Sequence, residues 1–353
     1  MAEFKHVVIV SDNIRGHYHQ SLGVAEWISR LCQAEVDETV KIPDISGLQK
    51  YLKLKLSGRK IPQKSPEFSK RWLKSFGISY KRFYPNTLFI SAGSSAAPFC
   101  LALAKATNNK SAVIMTPSMF GTKPFDYAII PEHDAHDPHD PKVLTTLGAP
   151  NHINSQLVQK AAETFFGHRN FKPKVVSVLI GGSDSNYMPD AKWADKILGV
   201  LSQFREVTVL ITTSRRTPEE VENKVEEIFS SCPSIGYMLI LSRNPKVNAV
   251  TSILGAATHV LATEDSVSMV SEAVTAGFKV GLLRVPRITG PIKKALGYGT
   301  QRFDEMFEKM KERGLIEDLG NEPDFDKFLE PDEQKHNQDF NEAKRAAEWI
   351  LNS

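Results

Sequence analysis

Apolar residues along this chain keep two rhythms that alternate. Residues 4–11 (FKHVVIVS) form a short β-branched run, Asp12-Asn13 follows, and from 20 to 31 Leu22, Ala25, Ile28 and Leu31 recur at helical spacing. The pattern predicts strand, loop and helix. It returns with strands predicted at 87–91, 111–115, 127–130 and 143–146 and an apolar helix at about 96–105. A second run of the same kind predicts strands at 175–180, 207–212, 237–241, 259–262 and 280–283. Helices fall between them near 191–204, 218–229, 247–256 and 267–276, and a last helix is expected at about 338–351.

Short apolar strands alternating with helices imply parallel sheets covered on both faces. The polar, Pro-containing stretch 167–173 suits a domain boundary. The expected architecture is α/β, with two Rossmann-like doubly wound domains facing a cleft. Residues 1–168, with a basic insert at 50–82, form the first and residues 169–335 the second; the C-terminal helix, 336–353, crosses back to the first. A length of 353 residues suits two domains of ordinary size.

Composition excludes several classes. With 41% hydrophobic and 24% charged residues the chain has ample material for packed cores and reads as globular. No run approaches the ~18 apolar residues that cross a bilayer, and no secretory signal is read at the start. Cys32, Cys100 and Cys232 are dispersed and form no CxxC pair, which suits a reducing, cytoplasmic compartment.

Charge is distributed unevenly. The net charge is +3, yet residues 50–82 hold eleven Lys/Arg and one acid, Glu67. Tyr51, Phe68, Trp72, Phe76 and Tyr80 are interleaved with them, and Phe83 and Tyr84 follow. Two readings stand side by side: a surface for anionic lipid headgroups or another polyanion, giving peripheral membrane attachment, or a solvated face with core aromatics beneath it. Ser65-Pro66-Glu67 opens a helix in which Phe68, Trp72 and Phe76 recur every four residues before Gly77 stops it. No nucleic-acid motif accompanies the charge, so nucleic acid is not expected as a partner.

Ligands in open α/β sheets bind beyond the carboxyl ends of strands, so the loops there carry the candidate chemistry. Gly181, Gly182 and Ser183 follow the first strand of the second domain, and paired glycines let backbone amides approach a phosphate. Ser214, Arg215 and Arg216 end the next strand, with two planar guanidinium forks for phosphate oxygens; Thr217, Pro218 and Glu220 read as a capping box. Asp265, Ser266, Ser268 and Met269 open a later helix in which Ser266 or Ser268 is expected to cap, and Glu272, a turn inside, suits paired ribose hydroxyls or, if the loop is taken alone, is a solvent-facing glutamate on a capped helix. In the first domain His17 stands at the end of strand one, where it can take a proton from an acceptor hydroxyl or equally cap the first helix. Glu132 and Asp134, in Pro131-Glu132-His133-Asp134, are reserve carboxylates on the same rim. With His136, Asp137, His139 and Asp140 they suggest a metal cluster only superficially, since the spacing fits no standard zinc motif; no metal is expected.

Taken together, these loops resemble the mitochondrial fission ELM family (elongated mitochondria) of plants and its bacterial relatives. The similarity runs from Asp12 to about Leu315. It is carried by Arg15-Gly16-His17 with Gln20-Ser21-Leu22-Gly23, Pro131-Glu132-His133-Asp134 and Thr146-Leu147-Gly148-Ala149-Pro150-Asn151-His152. Ile180-Gly181-Gly182, Thr212 through Pro218 (TTSRRTP), Asn244-Pro245, Asp265 through Ala273 and Arg302-Phe303 complete it. Asp12 through Arg15 is less glycine-rich than the family's usual opening, and Ser183 through Asn186 departs from its commoner continuation.

The ELM family in turn looks like a branch of the GT-B glycosyltransferases, in which two Rossmann-like domains clasp a nucleotide sugar without a metal. The resemblance implies a nucleotide-diphosphate sugar as donor substrate, no separate cofactor, Glu272 on the ribose and His17 as acceptor base. It leaves two alternatives of other classes: a non-catalytic, membrane-recruited adaptor of the fission-protein type, and a nucleotide-sugar epimerase.

Overall fold

The computed structural model describes the chain except for residues 1–3, 46, 135–136, 138, 248, 289–299, 332 and 335–339, and except for the side chains of residues 48–50, 133 and 302. The first three residues and His136, considered above, therefore lie outside the described residues. The chain divides into two compact units, Met1–His152 with Asn341–Ser353, and Ile153–Phe340.

In the first unit the strands are β1 (His6–Ser11), β2 (Glu35–Val36), β3 (Val40–Lys41), β4 (Thr87–Ala92), β5 (Lys110–Ile114), β6 (Tyr127–Pro131) and β7 (Val143–Thr146). The sheet order is β2-β1-β4-β5-β6-β7, with β3 also on β1, and every pairing is parallel. Successive side chains of a strand point to opposite faces. Val7 and Ile9 of β1 accordingly join helix α1 (Arg15–Cys32) and the C-terminal helix Glu342–Asn352 on one face. Val8 and Val10 face α2 (Leu48–Gly58), α3 (Pro66–Ser75) and α4 (Ala97–Thr107) on the other. The C-terminal helix thus belongs to the first unit. Glu342 Oε1 accepts the Leu147 amide at 3.2 Å and ties the helix to the end of β7.

The basic insert resolves into α2 and α3. Ser65 caps α3 by accepting from the Phe68 amide, and Gly77 at φ +75 ends it. The aromatic stripe turns inward: Trp72 is 5% exposed, with its ring 4.7 Å from Phe76 and 4.8 Å from Phe99. Of the aromatic stripe read from the sequence, Trp72 is core and Phe68 and Phe76 pack against it partly buried.

In the second unit the strands are β8 (Lys174–Leu179), β9 (Val207–Thr212), β10 (Ile235–Leu239), β11 (His259–Thr263), β12 (Val280–Leu283) and β13 (Ile316–Asp318). Helices α5 (Ser155–Phe166), α6 (Ala191–Leu201), α7 (Glu219–Phe229), α8 (Val250–Ala256), α9 (Val267–Thr275), α10 (Gln301–Glu312) and α11 (Phe325–Leu329) accompany them. The order β10-β9-β8-β11-β12-β13, parallel throughout, is the dinucleotide-fold order 3-2-1-4-5-6.

The boundary falls ahead of α5, not after it. α5 packs on α8 so closely that a Cβ on Gly255 would meet the Val158 carbonyl oxygen at 1.9 Å. The 167–173 stretch, read as a domain boundary, is instead the loop from α5 into β8.

Candidate functional site

The first sheet reverses its strand order between β1 and β4, the topological switch point at which such sheets bind ligands. His17 sits there. Asp12 Oδ1 accepts the Ile14 amide at 3.1 Å, an Asx turn that leads from β1 into the first turn of α1. Asp12 Oδ2 lies 2.8 Å from His17 Nδ1, and the two side chains are 4% and 22% exposed. An ionised carboxylate only accepts, so Nδ1 carries the proton and Nε2 is left with a lone pair. The ring rests on Gly93 at the end of β4; a Cβ there would fall 2.4 Å from His17 Cε1. Gly93 also has φ +79, so both conformation and space call for glycine.

Glu132 and Asp134 form a single helical turn after β6. In the order β1-β4-β5-β6 this is three strands from β1, or ~14 Å at ordinary strand spacing.

The second sheet reverses between β8 and β11, and three of the loops singled out above meet there. Gly182 donates its amide to Asp265 Oδ2 at 2.5 Å, and Gly181 donates to Thr263 Oγ1 at 2.8 Å. Both glycine amides are thus engaged within the protein instead of standing open. A Cβ on Gly181 would lie 1.9 Å from Asp265 Oδ2, and one on Gly182 would lie 2.1 Å from the Arg216 backbone. The glycines permit the loops to touch. Ser183 donates to the Arg216 carbonyl at 2.9 Å.

Thr217 has a different task from the cap expected of it. Helix α7 starts at Glu219 with Pro218 at its N-cap and no side-chain capping bond. The Thr217 hydroxyl donates instead to the Gly181 carbonyl and accepts the Ser214 amide at 2.8 Å. Loop closure outcompetes the cap because the carbonyl of Gly181 is buried and needs a donor. Ser266 does occupy the N-cap of α9, but its side chain makes no capping bond. Ser268, Met269 and Glu272 are half-buried on α9.

The charges at this junction are Arg215, Arg216 and Asp265. The Arg216 guanidinium donates to the Ser183 carbonyl at 3.3 Å and stands 3.8 Å from the carboxylates of Asp184 and Asp265. Arg215 is exposed, with no partner among the described residues. The Asp265 side chain is fully buried and its Oδ1 lacks a hydrogen-bond partner among the described residues. Burial, against the Gly182 amide and Arg216, holds its carboxyl above the usual carboxylate range. The arrangement offers one free guanidinium, a second within reach and the N-terminus of α9 to an anion.

Sequence reasoning missed an ionic cluster beside this junction. Glu264, with a fully buried carboxylate, accepts from Arg284 at 2.7 Å and from Arg287; Arg284 also holds Asp318 at 2.6 Å and Arg287 holds Asp304 at 2.6 Å. These residues line a groove of about 780 Å³ with Trp193, Lys192 and Lys196 of α6. The guanidiniums hold the Asp304 and Asp318 carboxyls below the usual range in spite of partial burial. The signal in the sequence was Glu264 itself, a second acid adjoining Asp265 at a strand end. Asp12, five residues before His17, was likewise quoted only as part of a loop.

Residues 15–353 match the family described as mitochondrial fission ELM1. The chain belongs to that family. Curated proteins give no match. Among solved structures, a Listeria monocytogenes protein assigned as a UDP-N-acetylglucosamine 2-epimerase is similar over 99% of this chain and 95% of its own, at 10% identity and TM-score 0.53. The UDP-GlcNAc 2-epimerase of Neisseria meningitidis bound to UDP-GlcNAc covers 98% of each chain at 13% identity and TM-score 0.47. The glycotransferase of kitacinnamycin covers 100% and 99% at 13% identity and TM-score 0.48. This ELM1-family chain therefore has the GT-B type of fold, two parallel-sheet units of Rossmann type.

Proposed function

We propose that this ELM1-family chain is a metal-independent glycosyltransferase, taking a nucleotide-diphosphate sugar as donor and an anionic, lipid-linked or cell-envelope hydroxyl as acceptor. The observation that carries the proposal is the Asp12–His17 pair at the switch point of the first sheet. A buried carboxylate that fixes the tautomer of a half-exposed imidazole is the arrangement a general base needs. In an inverting transfer His17 Nε2 takes the proton of the acceptor hydroxyl as its oxygen bonds to the anomeric carbon. The bond from that carbon to the diphosphate breaks, and the leaving group keeps the electron pair. Arg215, Arg216 and the amide end of α9 at Ser266 supply the electrostatic stabilisation otherwise given by a metal, and the loop Gly181-Gly182-Ser183, its amides spent on Thr263, Asp265 and Arg216, shapes the floor beneath them. Ser214 and Asp265 hold that loop in register, Ser268 and Met269 flank it, and Glu272 takes the ribose hydroxyls.

The test is a thermal-shift series of the purified chain with UDP, GDP, CMP and dTDP sugars, because a ligand that binds only the folded state raises Tm. The expected result is a shift with one base that Glu272→Ala loses. No shift with any nucleotide at millimolar concentration overturns the proposal in favour of an adaptor. Conversion of the bound donor without any acceptor overturns it in favour of an epimerase.

A further inference from the structure

The aromatic stripe of α3 turns inward, yet the +10 segment around it still presents an apolar surface, on α2. Helix α2 is anchored by Leu54, 2% exposed, and by Gly58, where a Cβ would come within 3.0 Å of Met119 Sδ and 3.5 Å of Pro98. Its opposite side carries Leu52 and Leu56, one turn apart, 42% and 65% exposed, with Tyr51 at 45% beside them. Isolated exposed leucines are ordinary, but Leu52 and Leu56, four residues apart, stand one above the other and form one apolar strip, with Tyr51 on the flank of the helix.

Cations adjoin it. Lys55 lies 5.0 Å from the Tyr51 ring centroid, and Arg59, Lys60 and Lys64 follow on the exposed chain beyond α2. None of these four has a carboxylate partner among the described residues, whereas the single acid of the segment, Glu67, stands 3.7 Å from Lys70. Lys53 points elsewhere, donating to the Ser75 carbonyl at 2.9 Å and lying over the Phe76 ring.

We infer that the outer face of α2 docks on an anionic lipid bilayer, with Leu52, Leu56 and Tyr51 entering the headgroup boundary and Lys55, Arg59, Lys60 and Lys64 meeting lipid phosphates and carboxylates. A leucine strip that runs into unpaired cations at the C-terminal end of α2 matches an interface that is apolar below and anionic above. A second copy of the chain is disfavoured, because two-fold contact would set like charges together. A nucleic acid offers nothing for the aliphatic strip to enter. The inference is independent of donor chemistry, since docking requires no nucleotide, and within the basic stretch 50–82 it gives the membrane face to α2.

The experiment is vesicle flotation of the full chain with phosphatidylcholine alone and with added phosphatidylserine. Three variants accompany the wild type: Leu52→Gln with Leu56→Gln, Lys55→Gln with Arg59→Gln, Lys60→Gln and Lys64→Gln, and Lys327→Gln as a distant surface control. Thermal melts confirm folding, and all substituted side chains but the half-buried Lys55 are exposed. The expected result is binding only to phosphatidylserine vesicles, weakened by salt and reduced at least tenfold by either α2 variant but not by the control. Equal binding to both vesicles, unaltered binding by the leucine variant, or no vesicle binding overturns the inference. A dimer that the leucine variant dissociates, without vesicle binding, assigns the face to a second copy; binding of polyanions alone assigns it to electrostatics.

Discussion

Asp12 and His17 are joined across the first turn of α1 by a 2.8 Å contact from Oδ2 to Nδ1, while the other carboxylate oxygen holds the amide of Ile14. One side chain therefore shapes the turn that delivers the histidine and selects its tautomer. His17→Ala is expected to lower kcat for transfer about 10²–10⁴-fold, the usual contribution of a positioned base. Asp12→Asn keeps the turn, because its oxygen still accepts from Ile14, but loses the tautomer selection. Its loss should fall in kcat with little change in KM for donor, and should be smaller than that of His17→Ala. Steady-state kinetics with the donor found by thermal shift reads both, and full activity in His17→Ala removes the assigned base.

The two glycines of the second switch point differ in what they touch. Gly182→Ala drives a Cβ against backbone at Arg216, which no rotamer relieves, so it should cost about 3 kcal/mol or more. Gly181→Ala meets the Asp265 carboxylate, a side chain that can be removed. Adding Asp265→Ala should recover part of the loss of Gly181→Ala and nothing of Gly182→Ala. Urea unfolding of the three single and two double variants measures this coupling, and additive costs in both pairs contradict the contacts.

Much of the fold was legible because buried parallel strands are nearly continuous apolar runs. Val143–Thr146, Val207–Thr212 and Val280–Leu283 match their expected bounds residue for residue. Helix α1 begins at Arg15 instead of 20 because its first turn, Arg15-Gly16-His17-Tyr18-His19, is polar and half-exposed and carries no apolar period. The site was legible only as loops. Which loop atoms meet is decided by strand order: it brings Gly182 to Asp265 from 83 residues away and leaves Glu132 three strands from β1. The capping box at Thr217 failed for a related reason, since local sequence cannot show that a carbonyl 36 residues earlier competes for the same hydroxyl.

Glu264 compensates two arginines from inside the protein, so its loss leaves charges rather than a gap. Glu264→Ala should destabilise the chain by about 3–5 kcal/mol, as breaking a buried pair does. An exposed pair such as Lys196 with Glu322, 3.1 Å apart, should contribute below about 1 kcal/mol by the same measurement. Denaturant midpoints of Glu264→Ala and Glu322→Ala compare them directly, and equal effects contradict the role given to the cluster.

The carboxylates of the second unit should respond to pH with opposite signs. Asp265 has its folded value raised by burial, so the folded state holds the proton more tightly than the unfolded chain. Its contribution is fully present below the unfolded value of ~3.9 and is lost as pH rises through the folded value. Asp304 and Asp318 are lowered by Arg287 and Arg284. Their contribution is present above ~3.9 and is lost as pH falls through the folded values. Asp265→Asn keeps an oxygen for the Gly182 amide and removes the ionisation. Wild type should therefore gain stability relative to Asp265→Asn as pH falls from neutral towards 4, and lose it relative to Asp304→Asn below that. Urea unfolding across this range measures both differences; parallel curves for wild type and Asp265→Asn would show that Asp265 titrates as an ordinary solvated carboxylate and that the loops meet elsewhere.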